Sequence, residues 1–170
     1  MFQKGDHVIC GASGICSVES ITTMRMPGAD EKEYYLLKPV FSPQSTVYIP
    51  VNHPEGSLRK ALTKEEALAL IDEIPSLPEI KIPDEKKLEY IYKEYLLSNN
   101  ISRLVMLVKT IYKRREMRIR KGNKSTALDN RYFKQAEEFI HGELAVALSI
   151  PKDQVRDFIS ENTQMIIEEG

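Results

Sequence analysis

An α+β fold, in which a small β-barrel precedes a C-terminal helical bundle, is predicted by three features of the 170-residue sequence. The first fifty residues alternate short β-branched and aromatic runs with clusters of Gly, Pro and Ser. Beyond residue 60 the apolar period changes from two to about 3.6, the helical value. Only a proline-rich stretch, residues 75–83, interrupts that helical pattern.

In the first part, residues 7–10, 15–21, 33–37 and 46–49 read as strands. Between them lie Gly11-Ala12-Ser13-Gly14, Pro27-Gly28-Ala29-Asp30 and Ser42-Pro43-Gln44-Ser45, all rich in residues that reverse a chain. Four strands this short protect their edges by curling closed. An SH3-like or Tudor-like barrel over residues 1–60 is therefore expected.

Residues 61–170 read as an all-α domain. Thr63-Lys64-Glu65-Glu66 is a capping-box pattern and starts a helix running to Ile74. Pro75, Pro78 and Pro83 lack backbone donors and restrict the residues before them, so residues 75–83 are read as a linker. Leu88, Ile91, Tyr92, Tyr95 and Leu96 then paint one face of a helix starting near Asp84, and Asn99-Asn100 ends it. Leu104, Leu107, Val108 and Ile111 form the next apolar face, which closes in the run from Arg118 to Lys124. A helix from Ser125 or Thr126 carries Tyr132, Phe133, Ala136, Phe139 and Ile140. Pro151 with Val155, Phe158, Ile159 and Ile166 signals the last one.

The net charge of −1 conceals an uneven distribution. Residues 101–135 hold eleven Lys and Arg against Glu116 and Asp129 alone, between acidic flanks. On a helical wheel Lys109, Lys113 and Arg120 fall together, opposite the Leu104/Leu107/Ile111 face, as a phosphate-tracking stripe requires. Arg114, Arg115, Arg118, Lys121 and Lys124 extend the positive field. The alternative is that the acidic flanks pair with this island internally.

No apolar run is long enough to span a bilayer, and the first residues lack the apolar core of a secretory signal. A cytoplasmic protein without membrane association is expected. Cys10 and Cys16 form neither a disulfide framework nor a Cys-x-x-Cys redox motif. Strand alternation points His7 and Cys10 to opposite faces, which argues against a zinc site with Cys16 and His53. Gly11-Ala12-Ser13-Gly14 lacks the Lys-Ser/Thr of a phosphate loop, and no Gly-x-Ser-x-Gly elbow occurs. His141 stands without a placed carboxylate or nucleophile. No enzyme activity, metal or cofactor is expected.

The order and spacing of Gly5-Asp6-His7-Val8-Ile9, the Gly14 turn, Lys32-Glu33-Tyr34-Tyr35-Leu36-Leu37-Lys38 and Thr46-Val47-Tyr48-Ile49-Pro50 resemble the CarD/CdnL family of bacterial transcription regulators. The first module of that family also occurs in transcription-repair coupling factors, and Gly142-Glu143-Leu144-Ala145 is similar to its helical domain. The resemblance implies a Tudor-like domain that adds its strand edge to the RNA polymerase β subunit, and a helical domain that contacts promoter DNA and modulates open-complex stability. By position it places polymerase contacts on Met24, Arg25, Met26, Val47 and Tyr48.

Many relatives carry a Trp that wedges into DNA, whereas this sequence has none and shows Pro83-Asp84-Glu85-Lys86-Lys87 instead. The DNA-contact candidates are accordingly Lys86, Lys87, Lys109, Lys113, Arg114, Arg120 and Lys121, acting on the backbone without sequence preference. A scaffold that binds polymerase or another partner without DNA contact is the competing reading. Oligomeric state, responsive promoters and the direction of regulation stay open.

Overall fold

The computed structural model describes residues 1–162 and divides the chain into two compact units, Met1–Ala61 and Leu62 onward. The first is an antiparallel Tudor-like sheet of β1 (His7–Cys10), β2 (Gly14–Arg25), β3 (Glu31–Pro39), β4 (Val47–Pro50) and β5 (Leu58–Lys60). The strand order is β4-β3-β2-β1-β5, so β4 and β5 are its two edges. Val8, Cys10, Cys16, Val18, Tyr35, Leu37 and Leu58 form the core on one face. Burial of this kind contributes about 25 cal/mol per Å² of apolar surface removed from water. The Tyr35 hydroxyl also accepts the Phe2 N–H at 3.1 Å, tying the N-terminal segment to the sheet.

Two features of this sheet exceed the sequence expectation. β5 is a fifth strand in which only Leu58 is buried, so three residues with two cations carry no readable alternation. The β2–β3 hairpin also extends to Arg25 and Glu31, past a bulge between Val18 and Ser20. Its outer part is mostly exposed and so lacks a hydrophobic period. Gly28, at φ +78°, takes the left-handed conformation that the tight turn requires.

The second unit comprises α1 (Lys64–Glu73), α2 (Leu88–Leu96), α3 (Ile101–Arg120), α4 (Ala127–Leu148) and α5 (Val155–Asn162), packed on one apolar cluster. Thr63 and Glu66 cap α1 reciprocally. Asn100 caps α3 and Thr126 caps α4. Asp84 caps a short 3-10 turn, Glu85–Lys87, that leads into α2 at Leu88 rather than opening the α-helix itself. Glu143, buried in α4, accepts the Leu62 N–H at 2.9 Å. Ile166, assigned to the last helix from its spacing, lies outside the described residues.

The proline-rich stretch does not behave as a free tether. Ile80 is buried and donates its N–H to Thr110 Oγ1 at 2.8 Å, and Leu77 and Ile82 pack against the helical core. Apolar residues interleaved with prolines can bury themselves without helical hydrogen bonds, provided side chains satisfy the backbone. Among the described residues no helix is long and apolar enough to cross a membrane.

Candidate functional site

In the sheet unit the site follows from which backbone groups each strand turns outward. Val51 N–H donates to the Glu33 carbonyl, and antiparallel pairs alternate between bonded and non-bonded positions. Ile49 and Val47 therefore bond to Tyr35 and Leu37, while both backbone groups of Tyr48 face the open edge of β4. The same alternation on β3 pairs Leu36, Tyr34 and Lys32 with Ser20, Thr22 and Met24. The backbone groups of Ile21, Thr23 and Arg25 then face away from β3, beyond the residues of β2 that pair with β1.

The five sequence-derived contact residues do not form one patch. Val47 packs against the sheet core, so the Val47 side chain is not an exposed contact. Tyr48 is 45% exposed, and its register partner Leu36 shares a face with Lys32, the partner of Met24. Tyr48 and Met24 thus lie on the same face, offset by four residues of β3, or about 13 Å. Arg25 pairs with Glu31 and so projects from the opposite face. The Arg25 Nε donates to the Ala29 carbonyl at 3.4 Å, and Met26 sits in the turn, 45% exposed.

In the helical unit the seven DNA-contact candidates separate into three groups. Lys109 turns inward: its Nζ donates to the carbonyls of Ile74 at 2.8 Å, Leu77 at 2.5 Å and Pro75 at 3.4 Å. Partial burial lowers its pKa below the usual lysine value, with Glu79 acting in the opposite sense. An ammonium with three carbonyl partners has no donor left to reach a phosphate. The stripe read from the helical wheel therefore loses its first member, because angular phase cannot show that a neighbouring strap covers the position.

Lys113, Arg114 and Arg120 are engaged by carboxylates. Lys113 pairs with Glu79 at 3.1 Å, and Arg120 pairs with Glu116 one turn earlier. Arg114 forms a forked pair with Glu85 at 2.9 and 3.3 Å, and its Nε lies 3.6 Å from the fully buried Asp129. The Glu85 hydrogen bond is the largest cause of the raised Arg114 pKa. Asp129 also accepts the Tyr92 hydroxyl at 2.7 Å, which fixes Tyr92 as a core residue. Lys113 and Arg120 border a groove of about 890 Å³ that also carries Glu79, Glu116 and Glu137, so its rim has mixed sign.

Lys86, Lys87 and Lys121 form the third group. All three are exposed, and among the described residues no carboxylate lies within ion-pair reach of them. Lys86 and Lys87 occupy the 3-10 turn that Glu85 fastens to Arg114, and Lys121 follows seven residues beyond Arg114, about 10 Å along α3. Tyr90, 70% exposed, lies just inside α2. The roles of Glu79, Glu85 and Glu89 as partners of the basic island were not legible residue by residue, since these pairs join positions about 30 to 40 apart in sequence.

The family model of the CarD-like/TRCF RID domain matches residues 2–62, which contain all five strands. No curated protein matches the chain.

Proposed function

We propose, from the match of residues 2–62 to the family model of the CarD-like/TRCF RID domain, a transcription-related, RNA polymerase-interacting group, that this chain is a non-enzymatic bacterial transcription regulator docking on the polymerase β subunit. The observation that carries the reading is the open β4 edge at Tyr48 within the matched domain. Strand addition draws affinity from outward backbone groups and selectivity from side chains beside them. Tyr48 supplies the side chain beside that edge, while Met24 lies on the same face two strands away, on β2.

The helical unit contacts the DNA backbone near the polymerase through Lys86, Lys87 and Lys121. Contacts made only to unwound promoter DNA shift the closed-to-open equilibrium in proportion to their differential affinity. Tyr90 beside the lysine pair is the exposed aromatic nearest the position of the relatives' Trp. The internal engagement of Lys109, Lys113, Arg114 and Arg120 favours the second reading, a polymerase-bound scaffold without DNA contact. Open-complex lifetimes with and without the protein distinguish the two: Lys86→Ala/Lys87→Ala/Lys121→Ala abolishes any effect on lifetime in the first reading and leaves it unchanged in the second.

A further inference from the structure

Three cations of the basic island on α3 and α4 are paired with one acidic stretch of the same unit. Glu79 in the strap holds Lys113 at 3.1 Å, and Glu85 in the 3-10 turn holds Arg114 through two bonds. Glu89 in the first turn of α2 holds Arg131 at 2.6 Å and also accepts the Tyr132 hydroxyl at 3.2 Å. Three carboxylates from residues 79–89 thus meet three cations on two neighbouring helices.

From this juxtaposition we propose that residues 79–89 are a built-in competitor for DNA phosphate, with Glu79, Glu85 and Glu89 occupying Lys113, Arg114 and Arg131 until a polyanion displaces them. The inference rests on the DNA-contact reading above and adds an autoinhibitory contact to it. Carboxylate and phosphate oxygens compete for the same donors, and Arg binds both in the same forked geometry. Exposed pairs of this kind are weak individually, so a phosphate backbone brought close by polymerase docking displaces them at little cost. Lys113 and Arg131, with side chains 60% and 55% exposed, release first, and Arg114, at 27%, only when the turn carrying Lys86 and Lys87 moves.

The test is fluorescence anisotropy of the full chain on a duplex promoter fragment over a potassium chloride series. The variant Glu79→Gln/Glu85→Gln/Glu89→Gln is compared with Asp72→Asn/Glu73→Gln/Glu94→Gln, which removes the same charge without touching an ion pair. The first triple variant binds about ten-fold tighter than the second and steepens the log-log salt slope by about 0.9 for each cation released. Equal gains in both variants would show bulk charge alone, and a loss in the first would show that the pairs position the turn rather than mask the cations. Either overturns the proposal. Wild-type binding without a gain removes this inference only, whereas no DNA binding by either wild type or variant removes the DNA reading with it. Should the first triple variant fail to fold, Glu79→Gln and Glu89→Gln alone carry the comparison, since both break exposed pairs.

Discussion

The Lys109 ammonium donates a 2.8 Å hydrogen bond to the carbonyl of Ile74, closing the end of α1 with a cation from α3. The neighbouring bonds to Pro75 and Leu77 make Lys109 the side chain that satisfies a strap whose prolines cannot form helical bonds. Replacing Lys109 with Met keeps most of the apolar stem and leaves these carbonyls without their donor, a loss of about 1–3 kcal/mol. Urea unfolding of the variant is expected to show that loss, while the salt slope of DNA binding stays at the wild-type value. A flattened slope with undiminished stability would return Lys109 to the DNA surface.

Tyr92 and Asp129 are buried together, and Asp129 depends on the Tyr92 hydroxyl and on Arg114 for its compensation. Tyr92→Phe removes a hydrogen bond to a charged acceptor and is expected to cost about 1.5–3 kcal/mol. Asp129→Ala leaves Arg114 partly uncompensated and is expected to cost more, about 3–5 kcal/mol. Thermal unfolding of the two variants gives the order, and an equal or reversed order would exclude Arg114 as a partner of Asp129.

Secondary structure was legible wherever one residue type dictates local geometry. Thr63 and Thr126 mark helix starts because their oxygens accept N–H groups that the helix cannot satisfy, whereas Asn100, read as part of a helix end, caps the start of α3. The outer part of the β2–β3 ribbon and β5 escaped notice because exposed strands show no alternation to read. Charge was legible as a total and not as a surface. Lys109 and Lys113 looked alike on the helical wheel, yet residues 74–79, more than twenty positions away in sequence, separate an inward Lys from a paired one.

Cys16 has no solvent exposure, and burial, reinforced by Cys10, pushes its thiol up to about 12. Since the thiolate is the reactive form, native protein at pH 8 is expected to resist iodoacetamide at Cys16 and to react there only after denaturation. Mass spectrometry after a timed pulse measures this. Rapid native labelling of Cys16 would mean that β2 opens readily.

His141, on α4, is half-buried, and burial lowers its pKa, opposed by Glu137 and Glu138 and assisted by Arg156 and Lys152. With a folded-state pKa below the ordinary value of about 6.5, the neutral ring contributes stability above that pH, and the contribution is lost as pH falls through the folded-state pKa. His141→Gln is expected to unfold with a weaker pH dependence between 7.5 and 5 than the wild type. Identical dependence in the two proteins would exclude His141 as its source.

Docking through the β4 edge makes a prediction specific to one backbone N–H. Tyr48 turns its N–H outward, so Tyr48→Pro removes that donor without breaking a bond to β3, and Tyr48→Ala controls for the lost ring. The decisive measurement is the affinity of the full chain for core RNA polymerase in wild type, Tyr48→Ala and Tyr48→Pro. The strand-addition account predicts tight wild-type binding and a further loss of about two- to ten-fold from Ala to Pro, the value of one hydrogen bond. Equal binding by the Ala and Pro variants, or no polymerase binding by the wild type, would contradict it.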